Sequence, residues 1–143
     1  MNPLLTVSNL VKHYPGVNAV DGISFEVETG SCFGLLGPNG AGKTTTLEML
    51  EGINSPTSGE IQYRGEPLDD DFRERIGIQF QATALQDFQT VRESLIMFSH
   101  LYRKQANLDE LIQLCNLDEF LDRDTRKLSG GQRQRLLLAI ALV

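Results

Sequence analysis

An α/β fold is what this 143-residue sequence predicts, and three observations predict it. A short, almost continuously apolar run, Cys32-Phe33-Gly34-Leu35-Leu36, leads straight into a glycine-rich segment ending in Lys43-Thr44. Alternating strands surround that run, as in Ile23-Ser24-Phe25-Glu26-Val27. Near residue 90 the apolar spacing turns helical, which divides the chain into a β-rich region over 1–89 and an α-helical region over 90–143.

The elements follow in order. Leu5, Val7, Leu10 and Val11 open a strand that breaks at Tyr14-Pro15-Gly16, and residues 23–27 return as its hairpin partner, giving the sheet an antiparallel beginning. Residues 32–36 suit a strand covered on both faces in the parallel part of a mixed sheet. Thr44 to Glu51 reads as the first helix. Glu60-Ile61-Gln62-Tyr63 and Ile76-Gly77-Ile78 read as further short strands, separated by the turn formers Pro67 and Asp69 to Asp71. Thr90 and Glu93 have capping-box spacing ahead of a helix whose face carries Val91, Leu95, Phe98 and Tyr102. Asn107 with Glu110 repeats the pattern ahead of Leu108, Leu111, Ile112 and Cys115. A third helix of this region begins at Ser129 and is still apolar at Val143, without the basic last turn or following glycine of an ordinary helix end; the expectation is a truncated sequence.

Composition narrows the function classes. The formal net charge of −6 repels a phosphate backbone and the 13 basic residues form no run, so nucleic acid is not the expected partner. Cys32 and Cys115 lie far apart, outside any C-x-x-C spacing, and read as buried free thiols in a reducing compartment. The N-terminus lacks a signal-peptide pattern, and the longest apolar run, Leu136 to Val143, is too short to span a bilayer. A cytoplasmic chain that reaches a membrane only through a partner is expected. His13 and His100 match no catalytic pattern and read as surface or partly buried residues.

Gly37-Pro38-Asn39-Gly40-Ala41-Gly42-Lys43-Thr44 satisfies G-x-x-x-x-G-K-[ST] between a predicted strand and a predicted helix. Glycines let backbone N–H groups turn toward phosphate oxygens with no Cβ in the way. Lys43 is placed to neutralise the β- and γ-phosphates, Thr44 offers a hydroxyl to Mg²⁺, and Thr45 donates on the α-phosphate side, while the helix points its positive end at the anion. The glycine spacing does not fit G-x-G-x-x-G, which sets aside a dinucleotide fold. The expected ligand is therefore a nucleoside triphosphate and the expected architecture a P-loop NTPase core, which leaves kinases, G proteins, helicases and transport ATPases open.

A second motif, Leu128-Ser129-Gly130-Gly131-Gln132, precedes Arg133-Gln134-Arg135. Ser129 and Gln132 have capping-box spacing, yet two glycines in a helical first turn cost about 1 kcal/mol each against alanine, which capping does not explain. Bare amides at a helix start form a second anion-binding surface. One loop-bound nucleotide does not need two such surfaces unless the second serves a nucleotide held by another copy.

With its phosphate loop followed by Leu-Ser-Gly-Gly-Gln, the sequence resembles the ATP-binding-cassette family over its whole length. The resemblance implies a head-to-tail dimer in which Ser129, Gly130, Gly131 and Gln132 face ATP on the other subunit's loop. It implies that Tyr14 stacks on adenine, and that Gln81 contacts Mg²⁺ and the attacking water and links the core to the α-helical signature subdomain. Gln79, on the same face of a strand, leaves the Gln81 assignment open. The acidic strand, catalytic glutamate and switch histidine of the family would follow Val143, so the C-terminal part of the core is expected to be missing. The resemblance then implies an ATPase at full length, with this chain binding ATP better than turning it over. The parent function implied is the ATP-binding subunit of a transporter on the cytoplasmic face of a membrane, driving a multi-spanning permease, in the style of multidrug exporters. The rival is a soluble cassette ATPase of translation or DNA repair; the absence of heptads between Lys43 and Ser129 speaks against the chromosome type.

Overall fold

The computed structural model describes residues 3–79, 85–102 and 106–143. The chain packs as two compact units, Met1–Arg75 and Ile76–Val143, a division earlier in the chain than the change of periodicity near residue 90.

In the first unit, β1 (Leu5–Tyr14) turns through Pro15-Gly16 into β2 (Val17–Val27). The register, Leu5 on Val27, Val7 on Phe25 and Leu10 on Ile23, sends the apolar alternation of both strands to one side. β1 also pairs antiparallel with β3 (Ser58–Tyr63), and β3 with the short β4 (Glu66–Pro67), giving the order β2-β1-β3-β4. Helix α1 (Lys43–Leu50) contributes Met49 to a core of Val7, Leu10, Val20 and Ile61, with Leu5, Ile23 and Phe25 packed around it. A four-residue helix that the sequence reading took for a turn, α2 (Asp70–Arg73), is capped by Asp69, whose carboxylate accepts the Phe72 amide at 2.8 Å.

Two expected strands do not form. Residues 32–36 and 76–78 carry no ladder among the described residues, so the sheet described is antiparallel throughout, without the parallel part that a mixed sheet requires. A parallel strand is held only by neighbours distant in sequence, so an apolar run without such a neighbour stays irregular. Leu36, read as buried on both faces, is 92% exposed, and Phe33 instead stacks on Phe25 with ring centroids 4.9 Å apart. Cys32, expected in the core, is likewise exposed.

The second unit follows the sequence reading more closely. Helix α3 (Val91–Ser99) starts with the predicted capping box: Glu93 accepts the Thr90 amide at 2.7 Å and donates its own amide to the Thr90 hydroxyl at 3.2 Å. Val91 and Leu95 are buried, whereas Phe98 is half-buried and Tyr102 lies past the helix end. Helix α4 (Leu108–Leu114) is capped by Asn107, which accepts from Asp109 rather than closing a box with Glu110; its amide donates to the Glu110 carboxylate at 2.9 Å. Two 3₁₀ turns, Asp118–Phe120 and Thr125–Lys127, lead to α5 (Gly130–Leu142). Val91, Leu95, Ile112, Cys115, Leu117, Phe120, Leu136 and Ala139 form the core. Burial raises the pKa of the Cys115 thiol, as expected of a core cysteine.

Candidate functional site

The phosphate loop is built where the irregular segment after residue 31 meets the start of α1. Gly42 caps the helix in the left-handed region at φ 83°, and a Cβ there would collide with the Ala19 carbonyl of β2. The helix start is thus pressed directly onto the sheet backbone, which only glycine permits. The Lys43 ammonium folds over the loop, donating to the carbonyls of Gly37 at 2.7 Å and Pro38 at 2.6 Å. Two of its three donors are so engaged, leaving one for an incoming oxygen. Gly40 also has positive φ, and Ala41 donates its amide to the Pro38 carbonyl at 3.2 Å, closing the turn that includes Asn39.

Thr44 is exposed and Thr45 half-buried, and among the described residues neither hydroxyl has a hydrogen-bond partner. Thr46, by contrast, is buried and donates back to the Gly42 carbonyl at 2.9 Å. A cavity of about 430 Å³ lies against the loop, lined by Asn18, Asp21, Leu35, Gly40, Ala41 and Lys43 among others. Among the described residues no cluster of acidic, histidine or cysteine side chains could hold a metal ion unaided. The donor set present, a free threonine hydroxyl at a positive helix end, suits a magnesium ion that arrives with phosphate oxygens.

Tyr14 stands at the end of β1, 41% exposed. Its hydroxyl accepts from the Asn54 amide at 2.6 Å, and the Lys12 ammonium, donating to the Ser55 carbonyl at 2.6 Å, sits 5.2 Å from the ring centroid. One ring face thus has a cation over it. Tyr14 is not among the residues lining the cavity beside the loop. His13 and His100 are both exposed, and His100 donates from Nδ1 to the Ile96 carbonyl at 2.6 Å.

The second motif forms the start of α5. Ser129 accepts the Gln132 amide at 3.2 Å, and Gln132 Oε1 accepts the Ser129 amide at 3.0 Å, the predicted capping box. Arg123 adds a contact that nothing in the sequence signals, donating to the same Gln132 oxygen at 3.2 Å. Neither Gly130 nor Gly131 has positive φ, and a Cβ on either meets nothing within 4 Å. Their lack of side chains answers no need inside this unit.

Helix-terminal charge singles out the same two places. Of the five α-helices described, α2, α3 and α4 carry carboxylates in the first turn, while α1 and α5 carry none. The uncompensated positive ends are those that follow Gly42 and Ser129. Gln81 lies outside the described residues; Gln79, just before it, is exposed and donates to Gln134 of α5 at 2.8 Å.

Comparison with known proteins identifies the family. A family model described as "ABC transporter" matches residues 20–143. Nod factor export ATP-binding protein I of Burkholderia pseudomallei is 44% identical over 140 residues, covering 92% of this chain and 46% of that protein. The protein of the same name from Cupriavidus metallidurans is 38% identical over 151 residues, covering 50% of its own length. The chain thus spans about half the length of the relatives it matches. Among solved structures, cbiO1 from Clostridium perfringens, part of the ABC transporter complex cbiONQ, superposes with a TM-score of 0.86 at 29% identity over 99% of this chain and 62% of that one. A bacterial ABC transporter cassette solved as a dimer gives 0.78 at 28% identity, over 96% and 68% of the two chains. No helix of the described residues is long and apolar enough to cross a membrane.

Proposed function

Since the chain belongs to the ABC transporter family, we propose that it is the ATP-binding part of a transporter ATPase. The triphosphate lies along Gly37 to Thr44, with Lys43 turning its remaining donor to the phosphate oxygens and Thr44 and Thr45 offering their hydroxyls. Mg²⁺ bound with the nucleotide neutralises phosphate charge; Thr44, and Gln81 by resemblance, are the residues of this chain that would hold it. Tyr14 is the adenine-stacking residue, its ring orientation fixed by Asn54.

Ser129, Gly130, Gly131 and Gln132 serve a nucleotide on the loop of a second copy, in a head-to-tail dimer. The observation that carries this reading is the emptiness around Gly130 and Gly131, which fits a ligand approaching the helix start from outside the unit. A structural role alone gives no reason to prefer glycine over alanine there. At full length the protein hydrolyses ATP on the cytoplasmic face of a membrane and drives a permease through the Gln81 region, with residues 1–89 holding the nucleotide and 90–143 presenting the signature. The relatives named for export favour this over a soluble ATPase of translation or DNA repair.

The test measures ATP binding to the full-length protein and to Lys43→Ala, followed by phosphate release with the permease present. Equal affinities would sink the loop assignment, and no turnover in the complete complex would remove the ATPase reading.

A further inference from the structure

Two contacts tie residues 76–79 to α5, and neither belongs to the phosphate loop or the signature. At one end the Gln79 amide donates to Gln134 Oε1 at 2.8 Å. At the other, Gly77 lies so close to the Ala141 carbonyl that a Cβ would overlap it, so two backbones are in contact. Gln134 and Ala141 stand at i and i+7, two turns apart on one helix face. Leu137 lies between them on that face and is 4% exposed, although it is outside the unit's main core cluster. The segment therefore runs along α5 opposite in direction to the helix, from Ala141 back toward the signature.

Gln79 stands two residues before Gln81, and Gln134 two residues after Gln132. We propose that Gln134 is a positioning residue: by accepting the Gln79 amide it fixes the register between the segment leading to Gln81 and the helix that presents the signature. The two nucleotide-facing elements then shift together. Both glutamines are exposed, so water competes for the bond and its contribution to folding is small. Its effect is geometric, since a sliding of this segment along α5 is resisted at one end by backbone contact and at the other by this amide pair. The inference rests on the ATPase reading above.

A carboxylate-swap cycle in the full-length protein with its permease tests it. Gln134→Glu keeps the acceptor, and Gln79→Glu lets the Gln134 amide donate, so each single variant is expected within about twofold of wild-type turnover. The double variant sets two carboxylates against each other and is expected to lower kcat about tenfold, with KM for ATP and the thermal midpoint unchanged. A double variant whose loss equals the product of the singles overturns the proposal, as does a fall in thermal midpoint that accounts for the lost activity. The ATPase reading is judged separately: if Lys43→Ala weakens ATP binding while the double variant turns over normally, only the positioning role fails.

Discussion

At the start of α1 glycine is demanded from inside the chain, because Gly42 has a left-handed φ and no room for a Cβ beside Ala19. At the start of α5 the same residue type answers no internal demand, since Gly130 and Gly131 have ordinary φ and open space around them. Both helix starts lack carboxylates in their first turns, so both can meet an anion. The difference teaches that a glycine-rich helix start can be shaped by the fold or by what comes to it, and that the two cases separate by substitution.

Gly42→Ala is the harshest test. Strain at φ 83° adds to a backbone collision, and about 3–5 kcal/mol of stability should be lost, read as the denaturation midpoint of the full-length protein. A small loss would mean that the loop moves off β2 at little cost. Lys43→Ala should leave folding nearly unchanged while ATP affinity falls between about tenfold and a hundredfold, the worth of a charge-assisted hydrogen bond. Calorimetric titration checks this.

Gly131→Ala should behave in the opposite way to Gly42→Ala. It should raise stability by up to about 1 kcal/mol through helix propensity while ATP turnover of the full-length complex drops. Unchanged turnover would erase the distinction between the two starts. Ser129→Ala removes a cap and should cost about 1 kcal/mol, seen in the same denaturation assay.

The smallest effect is one of pH, and it belongs to the second unit. Arg126 donates to both oxygens of Asp124, at 3.0 and 2.6 Å, and these bonds, with a backbone bond from Arg126, hold the Asp124 pKa down at about 2. A carboxylate whose folded pKa is depressed stabilises above its ordinary value of 3.8, and that contribution is lost as pH falls toward 2. The Asp124 side chain is half-buried beside an exposed Arg126 at the protein surface, where solvent screens the pair, so the change should be slight. Asp124→Asn should flatten the acid limb of the stability curve between those values. The phosphate loop, with no carboxylate from Gly37 to Thr44, should contribute nothing to that limb.

What was legible in the sequence was whatever is decided within a few residues. The boxes of Thr90 with Glu93 and of Ser129 with Gln132 and the β1–β2 hairpin depend on short-range spacing, and all are present; the strand near Ile61 also forms, because β1 supplies it a neighbour. The strand over residues 32–36 depends on neighbours elsewhere in the chain, and its apolar pattern could not supply them; Cys32 was misjudged with it. At the site, the loop and the second motif were legible because their chemistry is written in consecutive residues. The supports were not: Asn54 on Tyr14, Ala19 against Gly42 and Arg123 on Gln132 come from distant positions with no pattern linking them.

The bonds around Gln132 also settle the polarity of that corner. A glutamine side chain is chemically ambivalent, able to give or to take a proton in a hydrogen bond. Here the Ser129 amide and Arg123 occupy its oxygen, leaving the NH₂ as its outward face. The Ser129 oxygen accepts from Gln132 with one of its two lone pairs, and its hydroxyl proton is free to donate. With the amides of the first turn, donors outnumber acceptors at this corner, a balance that suits a visitor rich in acceptors, as a phosphate is.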